Sequence, residues 1–213
     1  MKLKKSIVAA AALGMALVAS QARADLDISV FASKQNVSLV EAAGAITLAE
    51  MLGLDATLVV STGKSLGVSV YDLGPAFVMS SHCGVPVPDL WHKHKKGRGW
   101  GIIAKDHGIH PGAFNKTRVW LDRAHDNDVY SALWGNMLYS RYGVPYADVS
   151  RWRASGIQWG DMVIAVTIAK DRGVKPDVVF TSWKKSKDWN KVWKEHPGKG
   201  KTDDFPGKGK GGS

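Results

Sequence analysis

KKGRGWGIIAKDHGIHPG, residues 95–112, is the stretch that decides the fold. Its first part is basic and interrupted by glycines, which favours a loop. The residues from Trp100 to His107 suit a helix, and Gly108 is typical of a helix end. The same spacing returns twice downstream in weaker form, so the stretch predicts a helical unit that the chain uses three times.

The three copies begin at glycines 84, 143 and 173. An aliphatic residue stands six positions after each glycine, and a tryptophan stands sixteen positions after it. A unit of helix, turn and helix cannot bury its apolar face alone, so we expect the copies to pack on one another. The second copy has about five extra residues after its tryptophan, which predicts a longer helix there. The aliphatic residues are Leu90, Val149 and Val179, and the predicted packing anchors are Trp100, Trp159 and Trp189.

Capping residues predict further helices outside these units. Ser38 followed by Glu41 is a capping-box pattern, and Gly53 is a typical C-terminal stop. Asp55 and Asp128 are suited to begin two more helices. The segment Asp25–Phe31 alone alternates briefly and is either a short strand or a frayed lead-in. The fold class is therefore predicted as all-α, with repeated helix-turn-helix hairpins packed into a small bundle or solenoid-like array. The predicted helices outside the repeat tryptophan segments cover residues 39–52, 56–66, 71–83 and 128–142.

The N-terminus has the layout of a secretory signal peptide. Three lysines within Met1–Lys5 precede an apolar run from Ser6 to Ser20, and Ala22-Arg23-Ala24 supplies a small-x-small cleavage pattern. The apolar run is shorter than the roughly 20 residues that span a bilayer. We therefore expect export to the periplasm or beyond, and no transmembrane span in the mature chain.

Composition divides the chain into five parts. We expect a signal peptide (1–24), an N-terminal helical lobe (25–114), a linker (115–127), a C-terminal helical lobe (128–197) and a disordered tail rich in glycine and lysine (198–213).

The charge balance points to an acidic partner. The chain has 213 residues, with 29 basic and 19 acidic side chains and a net charge of +10. The signal peptide holds four of the basic residues, so the mature chain carries about +6. An envelope protein or an anionic polymer is the expected partner, and oligomeric state is left open. The candidate contact residues form two basic loops, with Lys93, Lys95, Lys96 and Arg98 in the first and Lys184, Lys185 and Lys187 in the second. The first loop is the preferred candidate for contact with a ligand, because only its copy has three glycines, at positions 97, 99 and 101.

Nucleic acid is the second candidate partner. Ala104, Gly108 and Phe114 have the spacing of a helix-turn-helix reader, as do Ala169, Gly173 and Val179. Any tight helical hairpin needs the same residue types for packing. An exported protein also meets little chromosomal DNA, so this reading is disfavoured.

Metal capture is the third candidate function. His92 and His94 are two residues apart, a spacing that brings two imidazoles to one side only in extended backbone. Solvated histidines in a basic segment are the favoured reading, because no zinc-ligand spacing is met. We predict no cofactor and no metal site.

No catalytic constellation is visible in the sequence. Ser81-His82-Cys83 places three reactive types side by side, but triads assemble in space and not along the chain. Residues 61–65 resemble a phosphate loop but have Leu58 where that loop needs glycine. Cys83 is the single cysteine, which excludes an internal disulfide and leaves open whether the thiol is free, buried or paired with another chain. We therefore expect a non-enzymatic protein.

The segment from Asp72 to Gly112 resembles a group of uncharacterised exported bacterial helical proteins. They share a Gly-x-Pro turn followed by the motif GWGxIAKxxGIxPG, which here runs from Gly99 to Gly112. The resemblance implies export and a helical fold, and it implies no particular activity.

Overall fold

The computed structural model describes residues 27–110 and 126–196, and every regular element in these two ranges is a helix. The all-α prediction is confirmed. The signal peptide, most of the predicted linker and the tail lie outside the described residues. The helices are α1 (Ile28–Gln35), α2 (Leu39–Leu52), α3 (Ala56–Leu66), α4 (Val70–Cys83), α5 (Val87–Lys95), α6 (Trp100–Asp106), α7 (Asp126–Tyr142), α8 (Tyr146–Ala154), α9 (Trp159–Arg172), α10 (Pro176–Ser186) and α11 (Trp189–Glu195).

The short strand considered near the N-terminus is wrong, because Ile28–Gln35 is helix α1. A carboxylate oxygen of Asp27 accepts hydrogen bonds from the amides of Ser29 and Val30, at 2.9 and 3.3 Å. This N-cap satisfies amide groups that have no partner within the helix. The Asp27 cap therefore favours a helix here, although the alternation of apolar and polar side chains suggested a strand.

The predicted bounds of α2 and α3 are confirmed. The side chains of Ser38 and Asp55 accept hydrogen bonds from amides in the first turns, and α2 ends at Gly53 with a φ of 67°. Helix α7 begins at Asp126, before the predicted cap at Asp128. The longer helix expected after Trp159 is also confirmed, since α9 has 14 residues and α6 has seven.

The capping box at the start of α2 is only half formed. Ser38 Oγ accepts from the amide of Glu41 at 3.1 Å, but the Glu41 carboxylate does not return to Ser38. It accepts instead from Ser69 Oγ at 2.5 Å and from the amide of Val70 at 3.0 Å. A carboxylate at a helix N-terminus is favourable, so Glu41 ties α2 to the start of α4.

Helices α2 and α9 lie side by side at the centre of the core. Gly160 of α9 lies against Val40 of α2. Further along, Tyr142 Oη is 3.1 Å from both Thr47 Oγ1 of α2 and Thr167 Oγ1 of α9. Both pairs differ by 120 positions, so the two helices run in the same direction. Helices from both predicted lobes therefore share one hydrophobic core.

The three aliphatic positions that correspond in the predicted repeat have similar environments. Leu90, Val149 and Val179 are fully buried. Val59 stands six residues after the Gly53 turn and is also fully buried. It therefore resembles the three aliphatic residues of the predicted repeat, although the sequence pattern did not indicate a copy there. The repeat itself stays a prediction. No helix among the described residues is long and apolar enough to cross a membrane.

Tyr71 occupies the space between α2 and α9. A β-carbon added to Gly44 would lie 2.6 Å from the Tyr71 ring, and one added to Gly160 would lie 3.2 Å from it. Tyr71 Oη donates to the carbonyl of Val40 at 2.9 Å, and the ring centroid is 4.7 Å from that of Trp134. Burial, followed by the charge of Glu41, raises the pKa of the Tyr71 phenol well above its usual value.

Replacing Gly160 by alanine should destabilise the protein. The added β-carbon would lie 2.6 Å from Val40 Cγ1, so we expect a loss of roughly 1–3 kcal/mol in the free energy of unfolding, measured in urea. Gly135 in α7 is the matched control, since its nearest atom would be 4.0 Å away. Gly135→Ala should stabilise by up to about 1 kcal/mol. Equal effects of the two substitutions would contradict the close approach at Gly160.

Tyr71→Phe should alter the pH dependence of stability. Near pH 7 the loss of the bond to Val40 should cost about 1–2 kcal/mol. The phenol has a higher pKa in the folded than in the unfolded chain, so wild-type stability falls as the pH rises above about 10. Phenylalanine cannot ionise, so the stability difference between the two proteins should narrow there. A constant difference from pH 7 to 11 would contradict this account.

Candidate functional site

The first basic loop is held by its own side chains. Lys93 Nζ donates to His107 Nε2 at 2.8 Å, and Arg98 forms an ion pair with Asp106. His94 Nδ1 lies 3.0 Å from the carbonyl oxygen of Arg98. Two of the four predicted contact cations, Lys93 and Arg98, therefore bind groups of α6 and its C-terminal end. These two side chains therefore help to hold the connection between α5 and α6 in place, and they are less available to a ligand.

The loop also packs against Trp100. The His94 ring is stacked on the Trp100 indole with a centroid separation of 4.2 Å. Trp91 packs on the same cluster, and Lys95 Nζ is 5.9 Å from its centroid. Trp100 itself is fully buried, and its Nε1 donates to Tyr130 Oη at 3.0 Å. This organisation describes a packed helical corner with Lys96 at its exposed edge.

The second basic loop belongs to a larger group of exposed lysines. Lys184 and Lys185 are in the last turn of α10, Lys187 follows that helix, and Lys191 and Lys194 are on α11. We call these five residues the basic α10–α11 surface. Within the described ranges none of the five forms an ion pair.

The nearby carboxylates are engaged elsewhere. The Asp177 carboxylate accepts from Trp152 Nε1 at 3.1 Å and from Arg151 at 3.2 Å. The Asp188 carboxylate accepts from the amides of Asn190 and Lys191 at the start of α11. In the part of the chain that the structure describes, neither acid forms an ion pair with one of the five lysines, and neither does Glu195 at the end of α11, so the five lysines exceed these three acids in number.

The half-buried indoles already have cations beside them. Lys187 Nζ is 4.0 Å from the Trp183 centroid, and Trp189 is stacked on the same ring at 5.5 Å. Arg172 lies 4.8 Å from the Trp193 ring. A base or sugar that stacked on these rings would have to compete with existing contacts. The geometry therefore suits binding by charge better than binding by stacking.

The three repeat tryptophans differ in environment. Trp100 is fully buried and Trp189 is 9% exposed. Trp189 Nε1 donates to Asp161 Oδ1 at 2.8 Å, which joins α11 to α9. Trp159 is half-buried, with the Arg153 guanidinium 4.7 Å from its ring.

One predicted helix-turn-helix spacing is present in the fold. Ala169 lies in α9, Gly173 forms the turn and Val179 is buried in α10. The reading end of such a unit is the N-terminus of its second helix. Here that end carries Lys175 and the carboxylate of Asp177, which is paired with Arg151, whereas Lys184 and Lys185 lie at the other end of α10. Phe114, the last residue of the other predicted unit, lies outside the described residues.

The extended backbone that His92 and His94 would need in order to bind one metal ion together is not present. His92 and His94 both lie in helix α5, where residues two apart point to different sides. Among residues 27–110 and 126–196 there is no group of three or more histidine, cysteine, aspartate or glutamate side chains that could hold a metal ion.

Ser81, His82 and Cys83 lie together at the end of α4. Ser81 Oγ donates to the carbonyl of Val78 at 2.7 Å, and His82 Nδ1 lies 2.9 Å from the same carbonyl. Cys83 is a half-buried free thiol. Ser81 Oγ also lies 3.2 Å from His82 Nδ1, so the hydroxyl and the imidazole contact each other as well as the Val78 carbonyl.

Two shallow grooves lie at helix junctions. One of about 400 Å³ separates α11 from α1 and α2 and is lined in part by Trp193 and Lys194. The other, of about 280 Å³, lies between α2, α3 and α4 beside Glu41, whose carboxylate already binds Ser69 and Val70.

Comparison with protein-family models, with curated protein sequences and with solved structures finds no match to this chain.

The double variant His92→Ala/His94→Ala should leave the affinity for Zn²⁺ and Cu²⁺ unchanged. The two imidazoles do not converge, so removing them deletes no shared site. Isothermal titration of both proteins with each metal tests this. A tenfold weaker binding by the variant would show that the histidines are ligands after all.

Proposed function

We propose that this chain is an exported, non-enzymatic protein that binds an anionic polymer of the cell envelope through the basic α10–α11 surface. Export rests on the pattern of residues 1–24 and on the resemblance of residues 72–112 to exported helical proteins. Binding rests on one observation, the five exposed lysines that form no ion pair within the described chain.

The contrast between the two basic loops supports this choice of surface. In the first loop Arg98 is paired with Asp106, and Lys93 donates to His107. A ligand arriving there has to compete with these contacts. The lysines of the second loop form no ion pair with a described carboxylate, so an incoming anion does not have to displace one.

The covered indole rings support recognition by charge. Aromatic platforms for bases or sugars need an open ring face. The Trp183 and Trp193 rings are already in contact with Lys187 and Arg172. A linear polyanion needs only regularly placed cations, so affinity should fall steeply with salt and should depend little on the identity of the repeating unit.

Sequence-independent or helix-turn-helix binding of nucleic acid is the second candidate. The α9–turn–α10 spacing favours it, and the position of Asp177 at the reading end opposes it. Measuring the affinity for heparin and for two duplex DNA fragments of different sequence separates helix-turn-helix binding from polymer binding. Tighter binding to one DNA sequence than to another at equal salt would favour the helix-turn-helix reading over the polymer.

Neutralising the second basic loop should weaken heparin binding. In the triple variant K184Q/K185Q/K187Q we expect the slope of log K against log salt to shrink by about two to three, because up to three ion contacts are lost. The matched variant K95Q/K96Q/R98Q removes the same charge from the first loop and should change the slope less. Affinity chromatography over a salt series measures both.

Two results would contradict this proposal. In one, wild type is not retained on heparin at 50 mM salt, which is a condition that favours electrostatic binding. In the other, the first-loop variant loses as much affinity as the second-loop variant while both remain folded. The far-ultraviolet circular dichroism and the thermal unfolding midpoint of each variant serve as the folding control.

A further inference from the structure

Lys187 has a backbone conformation that favours glycine. It follows α10 with a φ of 55° and a ψ of 20°, and its amide donates to the carbonyl of Trp183 at 2.7 Å. Residues with a β-carbon rarely adopt this left-handed region, and asparagine tolerates it better than most. In the described part of the chain the left-handed residues are glycines, Asn36 and Lys187. Lys187 is thus the one long side chain in this set.

The charge at Lys187 is also unfavourable for the isolated fold. Lys184, Lys185 and Lys187 place three cations within four residues, and none of them pairs with a described carboxylate. Like charges at this spacing repel one another. Contact with the Trp183 ring at 4.0 Å offsets part of this and holds the ammonium group at the turn.

Conformation and charge therefore both oppose a lysine at this position. A lysine that is present despite an unfavourable backbone conformation and repulsion from neighbouring lysines is a candidate for function, since strained residues concentrate at binding sites. We infer that Lys187 is a ligand-binding residue of the basic α10–α11 surface and contacts the anionic groups of the polymer. The inference rests on the proposed function and adds the residue on which binding should depend most.

Lys187→Asn and Lys187→Arg test this role. Asparagine suits the left-handed backbone and removes the charge, so the thermal unfolding midpoint should stay equal or rise while heparin affinity falls about three- to tenfold. Arginine retains the charge and should retain the affinity. Lys175→Asn is the matched control, because Lys175 precedes α10 at its opposite end, where asparagine is a good N-cap. Its affinity should change by less than twofold.

The possible failures are distinguishable. If wild type binds heparin and Lys187→Asn binds equally well, Lys187 has no binding role. If Lys187→Asn lowers the unfolding midpoint, the lysine serves the fold through Trp183. If Lys187→Arg loses as much affinity as Lys187→Asn, charge is not the property required. If wild type does not bind heparin at all, the proposed function fails, whatever the variants do.

Discussion

The close approach of α2 and α9 is the constraint on which the other helices depend. It is possible because Gly160 has no side chain where Val40 and Tyr71 meet it. Tyr71 then links three elements, since its hydroxyl binds α2, its backbone belongs to α4 and its ring packs on Trp134 of α7. The Trp134 indole donates back to the carbonyl of Tyr71 at 3.2 Å. Interiors are close-packed, so a shift at this contact would be transmitted to all four helices.

Local chemistry explains what could be predicted from the sequence. Helices α2 and α3 begin just after Ser38 and Asp55, because those N-cap side chains bind amides two or three residues away. Such contacts need no knowledge of the fold. The hydrogen bond from Ser69 to the Glu41 carboxylate joins residues 28 positions apart and depends on how α2 and α4 pack. The sequence therefore did not predict it. Gly160 and Gly44 were missed for the same reason, because a small residue in a helix reveals no partner by itself.

In the candidate site, too, the sequence indicates which residues are charged, whereas their partners elsewhere in the chain are visible only in the fold. The sequence identified both basic loops and favoured the first, because glycines 97, 99 and 101 distinguish it from the other copies. We propose binding through the second instead. The ranking comes from partners further along the chain, such as His107 for Lys93 and Asp177 for Arg151. The carboxylate of Asp177, eight residues before Lys185, is already bound by Arg151 and Trp152. Only the fold shows which charges are compensated.

The turn before each repeat tryptophan links stability to function. In the first two copies the left-handed residue is Gly97 or Gly156, three positions before the tryptophan. In the third copy Ser186 stands at that position, and the left-handed residue is Lys187, two positions before Trp189. Glycine would satisfy this backbone with less strain. The third turn thus has lysine where glycine is favourable, next to two further lysines that form no ion pair with a described carboxylate. Glycine suits the backbone of all three turns, so the lysine in the third turn is the departure that the proposed binding of an anionic polymer would explain.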